Sequence, residues 1–230
     1  LHQAIDTADT DPVVRVVVIA AGGPVFSAGH NLREMARAEG EDSDTHRQRL
    51  RDILAACSEM MLAIMRCSKP VIACVQGTAT AAGCQLVSAC DLAIASNAAS
   101  FCTPGVNLGN FCTTPLVGIG RNLHRKHAME LALTGDMFSA EDAVRFGLIN
   151  RAVDPEDLET TTRDLARQLC SKSGAGIASG KAAFYRQLDM PVEEAFAFAT
   201  DIMVDGMSSD DAVEGASAFL EKRTPGWRKE

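Results

Sequence analysis

The sequence predicts an α/β fold that closes in a helical C-terminal region. Three observations carry that reading. Short runs rich in β-branched residues, at 13–20 (VVRVVVIA), 71–75 and 92–95, are too short for buried helices and read as buried strands. Between the first two runs, Leu50, Ile53, Leu54, Cys57, Met61, Ile64 and Met65 recur at helical spacing, which makes a strand–helix–strand unit with parallel strands. After Ser96 the strand signal fades and helical patterns take over.

The elements follow in order. Leu1, Ile5 and Ala8 are spaced like the last turns of an amphipathic helix, so a segment is expected to precede Leu1. No signal or transit peptide is visible in these residues. Gly22-Gly23-Pro24 ends the first strand in a turn. Residues 36–48 (ARAEGEDSDTHRQ) are polar and acidic; they read as a mobile loop bordering a ligand entrance, with a charged helix extension as the alternative. Pro70 introduces the second strand. Ser139 caps a helix with Asp142 at the reciprocal position. Pro155 opens another helix to about Lys172, and Gly174, Gly176 and Gly180 are expected to loosen the next join. Two more helices start near Pro191 and Ser208. No internal repeat is visible. The expected division is a core over 1–190 and a helical region over 191–230. Phe196, Phe198, Ala199, Ile202, Met203, Val204 and Met207 cover more than one helix face, which demands burial against another subunit or deep in the monomer.

Composition excludes several classes. Apolar residues make up 47 % of the 230, so global disorder is excluded. The net charge of −8 argues against a nucleic-acid surface. No apolar run is long enough to span a membrane. The eight cysteines form no C-x-x-C pair and no metal spacing with histidine, so they read as buried thiols in a reducing compartment and no metal is expected.

Two segments carry the chemistry. Phe26-Ser27-Ala28-Gly29-His30-Asn31-Leu32 follows a buried strand, and its small residues let a ligand approach the backbone. The segment from Gly77 through Gly83-Cys84-Gln85-Leu86 also follows a strand and enters a helix, whose first N–H groups lack internal partners. Facing each other, two such turns would set two N–H donors around one carbonyl oxygen; packing turns are the plainer reading of either alone.

These segments, with Lys69-Pro70-Val71-Ile72-Ala73, Cys90-Asp91-Leu92-Ala93-Ile94-Ala95, Leu133-Thr134-Gly135-Asp136, Gly147-Leu148-Ile149 and Glu214-Gly215 through Ala218-Phe219-Leu220-Glu221-Lys222-Arg223, resemble the enoyl-CoA hydratase/isomerase (crotonase) family in order and spacing. The likeness covers essentially the whole chain, although the family's first strands and most of its first helix would precede Leu1. It implies a spiral of ββα turns, a C-terminal helical trimerisation region, and a homotrimer or hexamer. It implies a coenzyme A thioester as ligand or substrate, with no other cofactor. The oxyanion-hole N–H groups would be those of Ala28 and Ala82, the latter a position usually Gly. Residues Ala28, Gly29, His30 and Asn31 would line the coenzyme A arm; Phe219 and Lys222 would help hold its nucleotide end. A mitochondrial branch of the family looks most similar, which implies that location and a role in fatty-acid metabolism.

The departures concern the proton-transfer groups. Hydratases of the family carry one catalytic Glu directly after the Gly-Cys, where this chain has Gln85, and another after the next Pro, where it has Gly105. Some isomerases place an acid where Thr113 stands. From Met60 to Met129 the only acid is Asp91, where a proportionate share would be about nine. An amide cannot exchange protons near neutral pH, and glycine has no side chain. Losing both acids removes about 10²–10⁴-fold per group, so efficient hydration is not expected. His30, Cys84, Asn107, Asn110 and Thr113 are substitutes to weigh against solvated, packing and turn roles. Three functions compete: an acyl-CoA binder without fast turnover, an enzyme on another acyl-CoA using only the oxyanion hole (decarboxylase, thioesterase or isomerase), and, remotely, RNA binding.

Overall fold

A computed structural model describes residues 1–227. Helix α1 (His2–Thr10) precedes a first pair of strands, β1 (Val17–Ala20) and β2 (Val25–Ser27). A short α2 (Leu32–Met35) and the long α3 (Ser43–Arg66) follow, then β3 (Val71–Val75), β4 (Thr78–Thr80) and α4 (Ala82–Ala89). The third pair is β5 (Leu92–Ser96) and β6 (Ser100–Cys102), with a 3-10 turn at Pro104–Leu108 and α5 (Pro115–Asn122). Next come α6 (Arg125–Thr134), β7 (Phe138–Ser139), α7 (Ala140–Phe146) and β8 (Arg151–Val153). Four helices close the chain: α8 (Leu158–Cys170), α9 (Gly174–Gln187), α10 (Val192–Met207) and α11 (Asp210–Leu220).

Each strand pair gives one strand to each of two sheets. One sheet runs β1-β3-β5-β8, all parallel; the other runs β2-β4-β6-β7, parallel except β6–β7. This is the spiral of ββα turns that the resemblance implies. The repeat is one of backbone path, not of residues, which is why no sequence repeat announces it. β3 lies between two partners and is nearly all buried, as its run VIACV requires. β1 has one partner strand, so only Ile19 is buried there. The strand therefore starts at Val17, not at Val13, which is 83 % exposed.

Several local expectations are corrected. Residues 43–48 are helical: Asp42 caps α3 by accepting from the Asp44 and Thr45 N–H groups. Only 36–42 is loop. Gly174, Gly176 and Gly180 lie inside α9, where the Ser173 hydroxyl caps the helix through the Gly176 N–H and tertiary packing on α10 overrides their poor propensity. Strands continue past Ser96 as β6, β7 and β8, pieces of two or three residues that only pairing defines. Finally, α10 is not deep in the monomer: none of its residues is buried. The capping box of Ser139 and Asp142 forms as expected. The last three residues of the expected 191–230 region lie outside the described residues.

One buried cluster locks the strands to the C-terminal helices. The Lys181 ammonium on α9 donates to Asp91 Oδ2 at 2.6 Å and to the carbonyls of Ile64 and Lys69. Tyr185 and the Val71 N–H also donate to Asp91. Burial, reinforced by Asp91, pushes the Tyr185 phenol well above its ordinary range.

Candidate functional site

The path β4–turn–α4 brings the two glycine-bearing segments together. A Cβ on Gly83 would sit 2.1 Å from the Ser27 carbonyl oxygen, so no other residue allows the helix start to approach β2 this closely. Gly29, at φ +84°, lies opposite: a Cβ there would be 3.1 Å from the Ala82 amide nitrogen and 3.2 Å from the Ala81 methyl. The Thr80 hydroxyl donates to the Ala28 carbonyl at 3.1 Å and pins the turn. Ala82 is the first residue of α4, in the turn whose N–H groups a helix leaves without internal partners. Ala81 before it holds φ +50°, a left-handed conformation rare for a residue with a Cβ. Strain of this kind concentrates at sites where geometry matters more than stability.

The remaining expected residues separate. His30 is half-buried on the turn, with no hydrogen-bond partner among the described residues. The Asn31 side chain caps α2, accepting from the Arg33 N–H and donating to Glu34. Phe219 is exposed near the end of α11, and Lys222 follows with a left-handed backbone, φ +56°. No hydrogen bond or ring contact among the described residues joins either to the 28–31 turn.

The positions that lack acids are filled differently. Gln85 is buried, with its Oε1 4.0 Å from the Cys57 sulfur. At Gly105, a Cβ would lie 2.9 Å from both the amide nitrogen and the sulfur of Cys112, and the Gly105 N–H donates to that sulfur at 3.3 Å. The candidate substitutes are engaged in the backbone: Asn107 donates to the Gly135 carbonyl, Asn110 accepts from the Phe111 N–H, and Thr113 donates to the Phe111 carbonyl. Burial, with Cys102 and Cys112 nearby, pushes the Cys84 thiol far up; burial raises Cys102 to about 11. These thiols stay protonated and pack. All eight cysteines are free, and no group of metal-ligating side chains gathers among the described residues.

Asp91, the only acid of its stretch, is consumed by Lys181, Tyr185 and the Val71 N–H at the start of β3, whereas Ala82 follows β4. A cavity of about 760 Å3 lies elsewhere, among Pro12, Arg15, Lys69, Ala175 and Ser209. It touches neither turn. Nothing in the residue pattern marks Thr80 as a tether or Arg49 as the residue that holds the loop beyond Asn31; both act through backbone carbonyls distant in sequence.

A ββα spiral with two backbone turns facing each other defines a class, and comparison names it. The chain belongs to the enoyl-CoA hydratase/isomerase family, whose model matches residues 1–230. It is 45 % identical over 214 residues to the mitochondrial enoyl-CoA hydratase domain-containing protein 3 of Rattus norvegicus, covering 93 % of this chain and 69 % of that protein. The Homo sapiens counterpart is 42 % identical over 230 residues, covering 100 % and 72 %. Carnitinyl-CoA dehydratase of Salmonella typhi is 34 % identical over 224 residues, covering 95 % and 83 %. Among solved structures, an enoyl-CoA hydratase of Mycobacterium smegmatis superposes with a TM-score of 0.92 at 46 % identity, covering 98 % of this chain and 86 % of that one. Human enoyl Coenzyme A hydratase domain-containing protein 3 superposes at 0.88 and 39 % identity, covering 98 % and 90 %.

Proposed function

We propose that this chain binds a coenzyme A thioester between the Ala28–Asn31 turn and the start of α4, and that it is not an efficient enoyl-CoA hydratase. The observation that carries the reading is the facing of Gly29 and the Ala82 amide, 3.1 Å from a Cβ position. In this reading the Ala28 and Ala82 N–H groups donate to the thioester oxygen and draw charge onto it. Ala28, Gly29, His30 and Asn31 line the coenzyme A arm. Phe219 and Lys222 reach the nucleotide of a neighbouring subunit's ligand in a homotrimer or hexamer. Addition of water needs a group that takes a proton from it and another that returns one. Gln85 and Gly105 supply neither, and Asp91 is held elsewhere. The role is in lipid metabolism, and the location is mitochondrial, as in the names of the rat and human relatives. No helix among the described residues is long and apolar enough to cross a membrane.

Calorimetry of the assembled protein with hexanoyl-CoA and free CoA tests the reading. Binding of the thioester more tightly than free CoA is expected; no binding of either overturns it. A second reading, turnover of another acyl-CoA through the oxyanion pocket alone (decarboxylation, thioester hydrolysis or isomerisation), is favoured by the close approach of Gly29 to the Ala82 amide, which needs no side-chain acid. Incubation with a panel of acyl-CoAs and product detection by mass spectrometry separates the two.

A further inference from the structure

Residues 31–42 continue directly from the Ala28–Asn31 turn, and their polarity suggests a free loop. The geometry is that of a clasp. Arg49, on the second turn of α3, reaches back across the segment. Its Nε donates to Glu41 Oε1 at 3.0 Å and its Nη2 to Glu41 Oε2 at 2.8 Å, a two-pronged ion pair. The same Nη2 donates to the Ala36 carbonyl at 2.9 Å, and Nη1 donates to the Glu34 carbonyl. Four of the five N–H groups of a guanidinium are thereby used.

Glu41 is fixed in turn. Its Oε2 accepts from the Ala38 N–H at 3.0 Å, and its carbonyl accepts from Arg37 Nε at 2.7 Å. The ring of His46, also on α3, lies 2.9 Å from the Met35 carbonyl. The Glu41 side chain is only 11 % exposed and Arg49 33 %. An exposed ion pair usually contributes little. This one differs because all four Arg49 bonds reach chain 8 to 15 residues away, two of them on main-chain carbonyls. The hold passes to the site through α2. Met35 and Ala36 N–H groups bond to the Asn31 and Leu32 carbonyls, and Asn31 caps the helix three residues after Ala28.

We propose that Arg49 is a positioning residue of the thioester pocket: it clamps residues 34–41 onto α3 and so fixes the Ala28–Asn31 turn in the orientation that presents the Ala28 N–H. The proposal rests on the thioester reading given above. A lysine cannot reproduce the fork, because a single ammonium lacks its planar pair of donors.

The test uses Arg49→Met, Arg49→Lys and Glu41→Gln in the assembled protein, with two readouts. Hydrogen exchange reports the clamp, and calorimetry with hexanoyl-CoA and free CoA reports the site. Arg49→Met and Arg49→Lys should lose protection across 34–41 while β3 keeps its own. Hexanoyl-CoA should bind about tenfold more weakly, a larger loss than for free CoA, which meets the same turn through its arm but lacks the thioester oxygen. Glu41→Gln keeps the Arg49 bonds to the two carbonyls and should fall between. Undiminished protection of 34–41 in Arg49→Met overturns the clamp. Lost protection with unchanged hexanoyl-CoA affinity overturns the positioning role. If the natural protein binds neither ligand, the thioester reading and the positioning role fail together, and the exchange result alone then supports or overturns the clamp.

Discussion

At the residue scale, the site rests on a few backbone approaches, and these set the sign of each substitution. Ala81 holds φ +50° at the start of α4. Such strain costs about 1–3 kcal/mol, while glycine costs about 0.5–1 kcal/mol in chain entropy. Ala81→Gly should therefore raise stability by about 1 kcal/mol, read as an increased denaturant midpoint at unchanged slope. Restoring the missing acids is a harder change. Glu at 85 follows the existing Gln side chain, but a Cβ at 105 meets the Cys112 backbone nitrogen at 2.9 Å. Overpacking of this kind costs about 1–3 kcal/mol. The double variant Gln85→Glu with Gly105→Glu should be less stable than the natural chain. It should still turn over crotonyl-CoA far below the enzyme median of about 10 s⁻¹. Brisk hydration by that variant would show that the 105–112 turn yields easily. The missing acids are legible in the sequence because they are identities at fixed spacing. The obstruction by Cys112 is not, since a turn seven residues away must fold back before it exists.

At the element scale, what the sequence discloses depends on how local the cause is. β3, β5 and the apolar stripe of α3 are legible because each carries its own pattern. The first turns of α3 are hidden, because 43–48 shows only solvent-facing polar residues and one cap, Asp42. α9 is hidden because its glycines argue against a helix until the Lys181 and Tyr185 bonds to Asp91 fix it. That cluster predicts the effect of Lys181→Met. Asp91, part-buried, would keep the Tyr185 and Val71 donors but lose its cation, which costs about 1.5–3 kcal/mol for a charge-assisted hydrogen bond. Chemical denaturation should show this loss, with α9 exchanging before β3. The clasp on α3 gives a pH prediction. Two-pronged bonding to Arg49, with the Ala38 N–H, holds the Glu41 carboxyl at about 2, below its ordinary 4.5. A lowered value means the contribution is complete above about pH 4.5 and is lost as pH falls through about 2. Protection across residues 36–42, measured relative to the intrinsic exchange rate at each pH, should therefore fall over that window. Constant protection down to pH 2 would contradict an ionic clasp.

At the scale of the whole molecule, the apolar surface left uncovered supports the proposed assembly. On α10, Phe196 is 72 % exposed and Met207 67 %, with Met203 and Val204 exposed beside them. Phe184 of α9, Leu188 just after it, and Val213, Phe219 and Leu220 of α11 add to the exposed apolar area of the C-terminal helices. Patches of this extent on a soluble chain mark contact surfaces. Fully burying one such side chain contributes about 1.5–3 kcal/mol, so a few suffice to offset the entropy of association. A net charge of −8 opposes indiscriminate clumping, which favours a defined oligomer over aggregation. The expected assembly is a trimer through the C-terminal helices, with Phe219 and Lys222 carried toward a neighbour's pocket. Sedimentation of the natural protein at micromolar concentration should give a mass three or six times that of one chain. Met203→Glu with Met207→Glu places two carboxylates in the contact and should leave monomers with helix content intact by circular dichroism. The same variant should weaken hexanoyl-CoA binding if Phe219 and Lys222 act across the interface, and leave it unchanged if each pocket is complete within one chain. A natural protein that sediments as a monomer would overturn the trimer and leave Phe219 and Lys222 without a ligand to hold.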